Sequence, residues 1–350
     1  MSTANPHLLS VATAVPPYRV NQEMAKGYTR LMFSKRYRDV ERLLLVFDNA
    51  HVQNRHFCMP PAWFYEDHTF PEKNTLYVEH ALDLSEKAAR RTLDRAGVDP
   101  SDVGAIFFVS TTGISTPSLD SMLIFRLGLS EHVRRVPIWG LGCAGGAAGL
   151  GRAADYARAY PQKPVLLVGV ELCSLTFLRG DRSKSNLVGM SIFADGAAAA
   201  LLGQEGAGPE IYGGYSTTWP DTRDVMGWDL IDDGLQVRFA KSIPQIVREK
   251  MHGNLESACN SLGLGLNDLR HFVLHPGGTK VLEAYEETLG IEPGGLDFSW
   301  EVLRNYGNMS SVTVLFVLER FLESCSAQDG CGVLSALGPG FSAEHVFFQC

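Results

Sequence analysis

Cys143 lies where an apolar stretch runs into glycines and other small residues, in the sequence VPIWGLGCAGGAAG. A cysteine at such a strand-to-helix turn lies at a helix N-terminus, where free N–H groups and the helix dipole stabilise a thiolate. The glycines would let a substrate approach the backbone closely. Most free cysteines are buried structural residues, and the other six cysteines fit that role better than Cys143 does. Cys143 is therefore predicted to be a nucleophile.

His275 is the histidine best placed to assist such a thiol. It ends the apolar run FVLH and is followed by Pro-Gly-Gly, so a fixed backbone would present it at the end of a strand. An imidazole at this point could accept the thiol proton or pair with the thiolate as an ion. A hydrogen-bonded core histidine is the alternative interpretation.

Asn308, in the sequence NYGNMSS, precedes a predicted helix, and taken alone it would be an ordinary helix N-cap. An internal repeat changes this interpretation. Three pairs of landmarks recur at nearly constant separation, namely Asp102 and Asp268, Leu127 and Leu289, and Cys143 and Asn308. Equivalent turns would face one crevice, where His275 and Asn308 could donate together to a thioester oxygen. Chance similarity between common strand–helix units is the alternative.

The alternation of apolar runs with helical patterns predicts an α/β fold with sheets buried on both faces. The predicted strands are 105–110, 136–141, 165–170, 197–202, 271–275, 332–336 and 344–349. The predicted helices are 82–96, 146–159, 244–261, 280–289 and 312–324. The glycine-rich stretch GQEGAGPEIYGGYST predicts a boundary between two halves, 1–205 with the nucleophilic cysteine and 206–350 with the histidine and asparagine.

The composition is that of a globular protein, with 45% hydrophobic and 20% charged residues. A net charge of −8 argues against nucleic acid as a partner, because it repels phosphate, and acidic residues follow the most basic cluster at 33–38. No secretory signal or membrane-length apolar run is evident. The seven cysteines include no CxxC pair, and nucleotide and metal motifs are absent. We expect a cytoplasmic protein without a transmembrane segment or a bound metal.

Five motifs make the chain similar to the chalcone and stilbene synthase superfamily, the type III polyketide synthases, over essentially all 350 residues. They are GLGCAGG at 140–146, IFADGAAAA at 192–200, HPGG at 275–278, YGNMSS at 306–311 and GPGF at 338–341. The resemblance implies a thiolase-like five-layer αβαβα fold with two duplicated halves and a homodimer. It also implies a Cys-His-Asn catalytic set, which maps onto Cys143, His275 and Asn308.

The mechanism of this family supplies the roles that the resemblance implies. Cys143 would take the acyl group of an acyl-CoA starter, with His275 as its imidazolium partner. His275 and Asn308 would hold the enolate oxygen of malonyl-CoA as CO₂ leaves, and the carbanion would then attack the Cys143 thioester. Because hydrogen bonds stabilise the enolate, no metal or redox cofactor is expected, and the CoA thioesters are substrates.

The resemblance also implies which residues surround the substrate. Phe193 falls on the family's gatekeeping aromatic between the CoA tunnel and the cavity. The other candidates for substrate binding are Thr111, Thr112, Thr116, Thr176, Val237, Ser310, Gly338, Pro339 and Gly340.

Several positions depart from the plant enzymes. Val237 stands where those enzymes have a second gatekeeping phenylalanine, and Thr116 stands where a methionine reaches across their dimer interface, so a wider cavity is expected. Their CoA-phosphate positions fall on Leu45 and Asn49, which carry no charge. CoA would therefore be bound by other residues, with Lys280 and Arg55 as the candidates.

The stretches VPIWGLGCAGGAAG and ELCSLTF are most similar to bacterial members that make alkylpyrones or alkylresorcinols from fatty acyl starters. A ketoacyl-acyl-carrier-protein synthase of the III type is the nearest alternative, although only the cluster at 33–38 offers a basic docking surface. A thiolase would need a second catalytic cysteine near 336–340, where none is present. A Cys-His-Asn peptidase and a non-catalytic thiolase-fold protein are alternatives from other classes. The apolar strand before Cys143 argues against the first, and the presence of all three candidate residues argues against the second.

Overall fold

The computed structural model describes residues 4–34, 39–324 and 330–350, so most of the basic cluster at 33–38 lies outside the described residues. The strands of the described part are β1 (His7–Ala14), β2 (Tyr18–Asn21), β3 (Asn54–Phe57), β4 (Ala105–Val109), β5 (Arg134–Ile138), β6 (Val165–Leu172), β7 (Asp195–Gly203), β8 (Glu210–Thr218), β9 (Met226–Ile231), β10 (Gly234–Phe239), β11 (Leu269–Leu274), β12 (Cys331–Gly338) and β13 (Ser342–Gln349). Its α-helices are α1 (Gln22–Phe33), α2 (Val40–Asp48), α3 (Phe70–Ala96), α4 (Asp120–Leu127), α5 (Gly145–Ala159), α6 (Lys184–Ile192), α7 (Ile243–Ser261), α8 (Thr279–Leu289), α9 (Asp297–Tyr306) and α10 (Thr313–Ser324).

The large mixed sheet consists of two half-sheets. Its strand order is β11-β12-β13-β8-β1-β7-β6-β4-β5, and β1 meets β8 at the pair His7 and Glu210. In each half a parallel pair, β4 with β6 or β11 with β12, is followed by two antiparallel pairings. These are β6–β7–β1 in the first half and β12–β13–β8 in the second. The topology therefore contains the internal repeat that the sequence predicted.

Corresponding helices of the two halves also end in the same way. α4 ends before Gly128 with φ 78°, and α8 ends before Gly290 with φ 61°. Both glycines take the left-handed conformation that closes a helix C-terminus, which a side chain with a Cβ adopts only at a cost. The Leu-Gly landmarks that suggested the repeat are therefore helix C-caps.

Helices fill the space between and outside the half-sheets. α5 contacts strands of both halves, as does α10, so these two helices form the middle layer. α3 packs on β1, β6 and β7, and α7 packs on the outer face of β11–β13. The result is five alternating layers, which confirms the predicted α/β architecture. The small residues of α5 let it lie close to both sheets, since a Cβ at Gly149 would come within 2.8 Å of Leu167.

The predicted strands and helices are present, with shifted ends. All eight residues of β6 and all nine of β7 are buried, as expected for strands covered on both faces. β5 ends at Ile138, earlier than predicted, because Gly140 and Gly142 turn the chain with φ of 92° and 47°. α3 begins earlier than predicted, at a capping box formed by Thr69 and Glu72. No helix in the described ranges is long and apolar enough to cross a membrane.

Candidate active site

Cys143 lies in a 3₁₀ turn just before α5, at the turn predicted from the sequence. Its thiol donates to the Ser310 hydroxyl at 3.7 Å, and its side chain is buried, with 7% exposure. The Gly142 N–H donates to Thr111 Oγ1 at 3.2 Å. Ser310 has φ 50°, an uncommon conformation for a residue other than glycine. These contacts bring the predicted substrate residues Thr111 and Ser310 directly beside the sulfur.

The Gly338–Pro339–Gly340 loop packs against the Cys143 turn. A Cβ at Gly338 would lie 2.4 Å from the Leu141 carbonyl oxygen, and a Cβ at Gly142 would lie 2.7 Å from Pro339. Neither approach is compatible with a side chain, so both glycines are required for the loops to meet. The structure therefore places the substrate-binding candidates Gly338, Pro339 and Gly340 beside the cysteine.

Asn308 is held by both its backbone and its side chain. Its N–H donates to the Ile192 carbonyl at 2.8 Å, and its carbonyl accepts from the Ala194 N–H at 2.9 Å. It thereby forms a bridge with Phe193, the predicted gatekeeper. The side-chain Oδ1 accepts from the Ser310 N–H at 2.8 Å, and Nδ2 donates to the Gly277 carbonyl at 3.1 Å. The second amide hydrogen of this fixed side chain is directed to Cys143, where a substrate oxygen could also accept it.

His275 follows β11 and lies against the same residues. The backbone N–H of His275 donates to the Ser335 carbonyl at 2.9 Å, and the residue is 3% exposed. A Cβ at Gly277 would lie 3.8 Å from His275 Nε2, so the imidazole ring lies close to Gly277. The carbonyl of Gly277 is the group that accepts from Asn308 Nδ2. Neither ring nitrogen has a hydrogen-bond partner among the described residues. The cysteine, histidine and asparagine predicted from separate motifs are thus connected through Ser310 and Gly277.

Burial keeps the Cys143 thiol and the His275 imidazole uncharged while they are separate. It raises the pKa of Cys143 to about 11 and lowers the pKa of His275 to about 3. The predicted thiolate–imidazolium contact is not formed in this structure, since the thiol bonds to Ser310. In the resting site the Cys143 thiolate is therefore formed at least cost when the thiol proton passes to His275, because this transfer leaves the net charge of the site unchanged.

The acylation rate of Cys143 is expected to be constant from about pH 5 to about pH 9. At the pKa values of about 11 and about 3, the thiol stays protonated and the imidazole neutral over this range, so internal proton transfer requires no exchange with solvent. The measurement is single-turnover acylation by an acyl-CoA at a series of pH values, read by intact-protein mass spectrometry, with hydrolysis in buffer as the control. A rate that rises about tenfold per pH unit would show that the thiolate forms by loss of a proton to solvent.

Glu171 is a central residue of the site that was not predicted from the sequence. Its Oε2 accepts from the N–H groups of Thr111 and Thr112 and from Thr112 Oγ1, at 3.0, 3.1 and 2.8 Å. Its Oε1 accepts from Ser311 Oγ at 2.6 Å. Burial raises its pKa to about 7, although these hydrogen bonds oppose the rise. Glu171 therefore joins the loops that flank Cys143, and the signal for it was a carboxylate inside the apolar run VLLVGVEL.

A small cavity lies beside two of the predicted substrate residues, Thr112 and Thr176. Its lining also includes Lys73, whose side chain extends to a second cavity of about 240 Å³. The Lys73 ammonium donates to the Phe177 carbonyl at 2.9 Å, and burial lowers its pKa. Thr176 donates to the Cys173 carbonyl at 2.7 Å, which fixes its methyl group and oxygen. This side of the cavity is therefore partly polar.

Val237 and Thr116, the two departures from the plant pattern, occupy different environments. Val237 lies on the β9–β10 hairpin opposite Trp228, whose ring is 6.0 Å from that of Phe193. It is thus a neighbour of the gatekeeper. Thr116 is exposed on the loop that follows β4, so within one chain it does not line a cavity.

The two CoA candidates differ in accessibility. Lys280 is exposed in the first turn of α8, next to Thr279, which donates to the Asn49 carbonyl at 3.0 Å. It therefore lies near the positions where the family pattern expects CoA phosphates. The prediction that Arg55 binds CoA is wrong, because this residue is 0% exposed. Its guanidinium donates to the carbonyls of Met190, Ser191 and Phe193, so it supports the gatekeeper segment from behind and cannot reach a phosphate in solvent.

Comparison with known proteins identifies the family. Models of the N-terminal and C-terminal domains of chalcone and stilbene synthases match residues 1–206 and 210–350. A putative chalcone synthase from Bacillus subtilis strain 168 is 42% identical, with 98% of each chain covered. A 1,3,6,8-tetrahydroxynaphthalene synthase from Streptomyces peucetius is 38% identical, covering 97% of this chain and 92% of its own. An alpha-pyrone synthesis polyketide synthase-like protein from Mycobacterium tuberculosis is 28% identical, covering 97% and 90%.

Solved structures agree with this result. The 1,3,6,8-tetrahydroxynaphthalene synthase of Streptomyces coelicolor A3(2), a bacterial type III polyketide synthase, superimposes with a TM-score of 0.94 at 29% identity, covering 98% of this chain and 99% of that one. The type III domain of a Dictyostelium hybrid synthase gives 0.92, also at 29% identity, with 99% of both chains covered. The chain therefore belongs to the chalcone and stilbene synthase family of type III polyketide synthases, which are acyltransferases with a thiolase-like fold.

Proposed function

We propose that Cys143 takes the acyl group of an acyl-CoA starter and that the chain extends it with malonyl-CoA. Cys143 attacks the thioester carbonyl as its proton passes to His275, and CoA leaves as its thiol after receiving that proton. The observation that carries this proposal is the continuous set of contacts from Cys143 through Ser310 and Asn308 to the segment of His275.

The extension step follows from the donors around the sulfur. His275 Nε2–H and the second Nδ2 hydrogen of Asn308 would hold the thioester oxygen of malonyl-CoA as an enolate while CO₂ leaves. The enolate carbon attacks the Cys143 acyl carbonyl, the new carbon–carbon bond forms, and the Cys143 sulfur leaves as thiolate. Burial of this site strengthens both hydrogen bonds, so the proposal requires no metal or redox cofactor.

The proposed starter is a fatty acyl-CoA, and the proposed products are alkylpyrones or alkylresorcinols. Val237 is smaller than the phenylalanine of the plant pattern and lies beside Phe193, which leaves room for an aliphatic chain. The relative from Mycobacterium tuberculosis is named for alpha-pyrone synthesis. Three relatives are tetrahydroxynaphthalene synthases, so a reaction with malonyl-CoA alone belongs in the same assay.

Preference for the starter is expected to rise with acyl length until the cavity is filled, because each further buried CH₂ contributes about 0.8 kcal/mol. Val237→Phe should shorten the preferred chain, since an added ring in the wall displaces substrate, and Val237→Ala should not shorten it. The measurement is kcat/KM over acetyl-, hexanoyl-, lauroyl-, palmitoyl- and coumaroyl-CoA, with products weighed by mass spectrometry. A preference for coumaroyl-CoA, for malonyl-CoA alone, or an unchanged profile in Val237→Phe would contradict this starter assignment.

We further propose that the protein forms a homodimer through the β5 edge of the sheet. Phe125 and Trp139 are 78% and 58% exposed, and Ile114 is 41% exposed. Trp139 donates to the Gly113 carbonyl at 3.1 Å and so connects the edge strand to the loop of Thr116. An open edge strand beside exposed apolar side chains favours pairing with a second chain. Thr116 would then contact the partner's site.

Phe125→Glu is expected to convert this dimer to a monomer, because a carboxylate is costly to bury in an apolar interface. Because the Phe125 side chain is exposed in the single chain, the substitution should not affect folding. The measurement is molar mass by light scattering after gel filtration. Leu230→Glu is the matched control, since Leu230 is 66% exposed on the β9–β10 hairpin. A monomeric wild type, or a dimer that persists in Phe125→Glu, would contradict the proposal.

A further inference from the structure

Unpartnered polar atoms gather around the proposed condensation site. Six buried side-chain nitrogen or oxygen atoms of the described residues have no hydrogen-bond partner. Two belong to His275, one to Arg55 behind the gatekeeper, and one is the hydroxyl of Tyr285. The mechanism uses His275, and the other guanidinium nitrogens of Arg55 are bonded. The Tyr285 hydroxyl has no role in the reaction described so far.

Tyr285 lies on α8 and faces the interior, with 1% exposure. Its ring belongs to the apolar cluster that contains Phe193, Leu274, Leu337 and Phe341. Phe193 is bridged to Asn308, Leu274 precedes His275, and the other two residues flank the Gly338–Pro339–Gly340 loop. Tyr285 therefore belongs to the same apolar cluster as residues that lie next to each part of the site. An electrostatic interaction with Cys143 also acts on Tyr285, which agrees with this location.

The Tyr285 hydroxyl makes no hydrogen bond to Cys143 or Asn308. Cys143 bonds to Ser310, and the Asn308 amide bonds to Ser310 and Gly277. A buried hydroxyl without a partner lowers stability, and a phenylalanine would fill the same space without that penalty. A fatty acyl starter has only its thioester carbonyl, whereas each malonyl extension adds a further keto oxygen farther from the sulfur. Such an oxygen is the acceptor that suits a donor located beyond the thioester.

We propose that, once the Cys143 thiolate has taken the extended chain back from its CoA thioester with CoA as the leaving group, the Tyr285 hydroxyl donates a hydrogen bond to a keto oxygen of that chain and thereby favours further extension over early release. This inference rests on the proposed condensation with malonyl-CoA. Tyr285 is then a specificity-determining residue that acts after the first extension, while starter loading and malonyl-CoA decarboxylation remain independent of it.

Tyr285→Phe provides the test, because it removes one oxygen and keeps the ring. The variant should load a lauroyl group on Cys143 at the wild-type rate and decarboxylate malonyl-CoA normally. Its ratio of longer to shorter polyketide products should fall by roughly 3- to 10-fold, the effect of one hydrogen bond. Its Tm should be unchanged or higher. Ser85→Ala is the control, since Ser85 Oγ is also buried and unpartnered but lies on α3, and its product ratio should be that of the wild type.

The outcomes separate this inference from the proposed function. An active wild type with an unchanged product ratio in Tyr285→Phe would overturn the role of the hydroxyl and leave condensation standing. A wild type that extends no acyl-CoA with malonyl-CoA would overturn the proposed function and this inference with it. Equal changes in Tyr285→Phe and Ser85→Ala would assign the effect to packing and would also overturn the role proposed for the hydroxyl.

Discussion

Replacing Cys143 with alanine is expected to abolish chain extension, by at least about 10⁴-fold, while the protein stays folded. In the proposed mechanism the acyl intermediate is held on this thiol, which donates to Ser310 and whose turn packs against the Gly338–Pro339–Gly340 loop. The sulfur interacts with the Ser310 hydroxyl at 3.7 Å and with the Asn308 side chain, and both contacts are weak, so its loss should have little effect on Tm. Product formation from lauroyl-CoA and malonyl-CoA, together with a thermal melt, measures both quantities.

Cys259→Ala is the matched control for this prediction. Cys259 is also fully buried, but it lies on α7 in the cluster that covers the outer face of β11–β13. The Cys259→Ala protein should be somewhat less stable, because the change creates a cavity, and it should retain its activity. A Cys143→Ala protein that extends an acyl-CoA at near the wild-type rate would refute the nucleophile assignment.

Replacing Asn308 with alanine is expected to separate the two partial reactions. Starter loading depends on the thiol and its proton acceptor, so Cys143 should still become acylated. Decarboxylation depends on donors to the enolate oxygen, and the loss of one such donor costs about 10²-fold or more. The Asn308 side chain is well fixed for this purpose, since Oδ1 accepts from Ser310 N–H and Nδ2 donates to Gly277.

The partial reactions are measured separately, with acyl adducts read by mass spectrometry and CO₂ release followed with labelled malonyl-CoA. Asn308→Asp should behave like the alanine variant in decarboxylation, because it keeps an acceptor for Ser310 N–H but cannot donate. A variant that decarboxylates normally but fails to become acylated would reverse the proposed roles of Asn308 and Cys143.

Much of the site could be predicted because its residues lie at strand ends marked by glycine. Cys143 and Asn308 occupy equivalent turns of the repeat, and His275 is fixed by the strand before it and the Pro-Gly-Gly after it. These are local features of sequence, and the structure brings the three residues together. The turn of the β9–β10 hairpin, Asp232–Asp233 followed by Gly234, is a further local signal, and the sequence analysis did not predict that hairpin.

The residues that were missed or misassigned from the sequence depend on long-range contacts. Arg55 was a candidate for binding CoA, but its guanidinium donates to carbonyls more than a hundred residues away along the chain. Glu171 draws its importance from donors on separate segments of the chain. Lys73 lies on a helix whose predicted start was later in the chain, so its approach to the cavity beside Thr112 could not be anticipated. Periodicity and spacing contain no information about such partners.

The most direct test of the central claim is to locate the acyl intermediate. Wild-type protein is incubated with lauroyl-CoA, quenched and digested, and the peptides are analysed by mass spectrometry; a second sample receives malonyl-CoA before the quench. We predict a lauroyl thioester on Cys143 in the first sample and its conversion to extended, released product in the second. An adduct on another cysteine, such as Cys173 or Cys58, or a Cys143 adduct that malonyl-CoA leaves unchanged, would contradict the account.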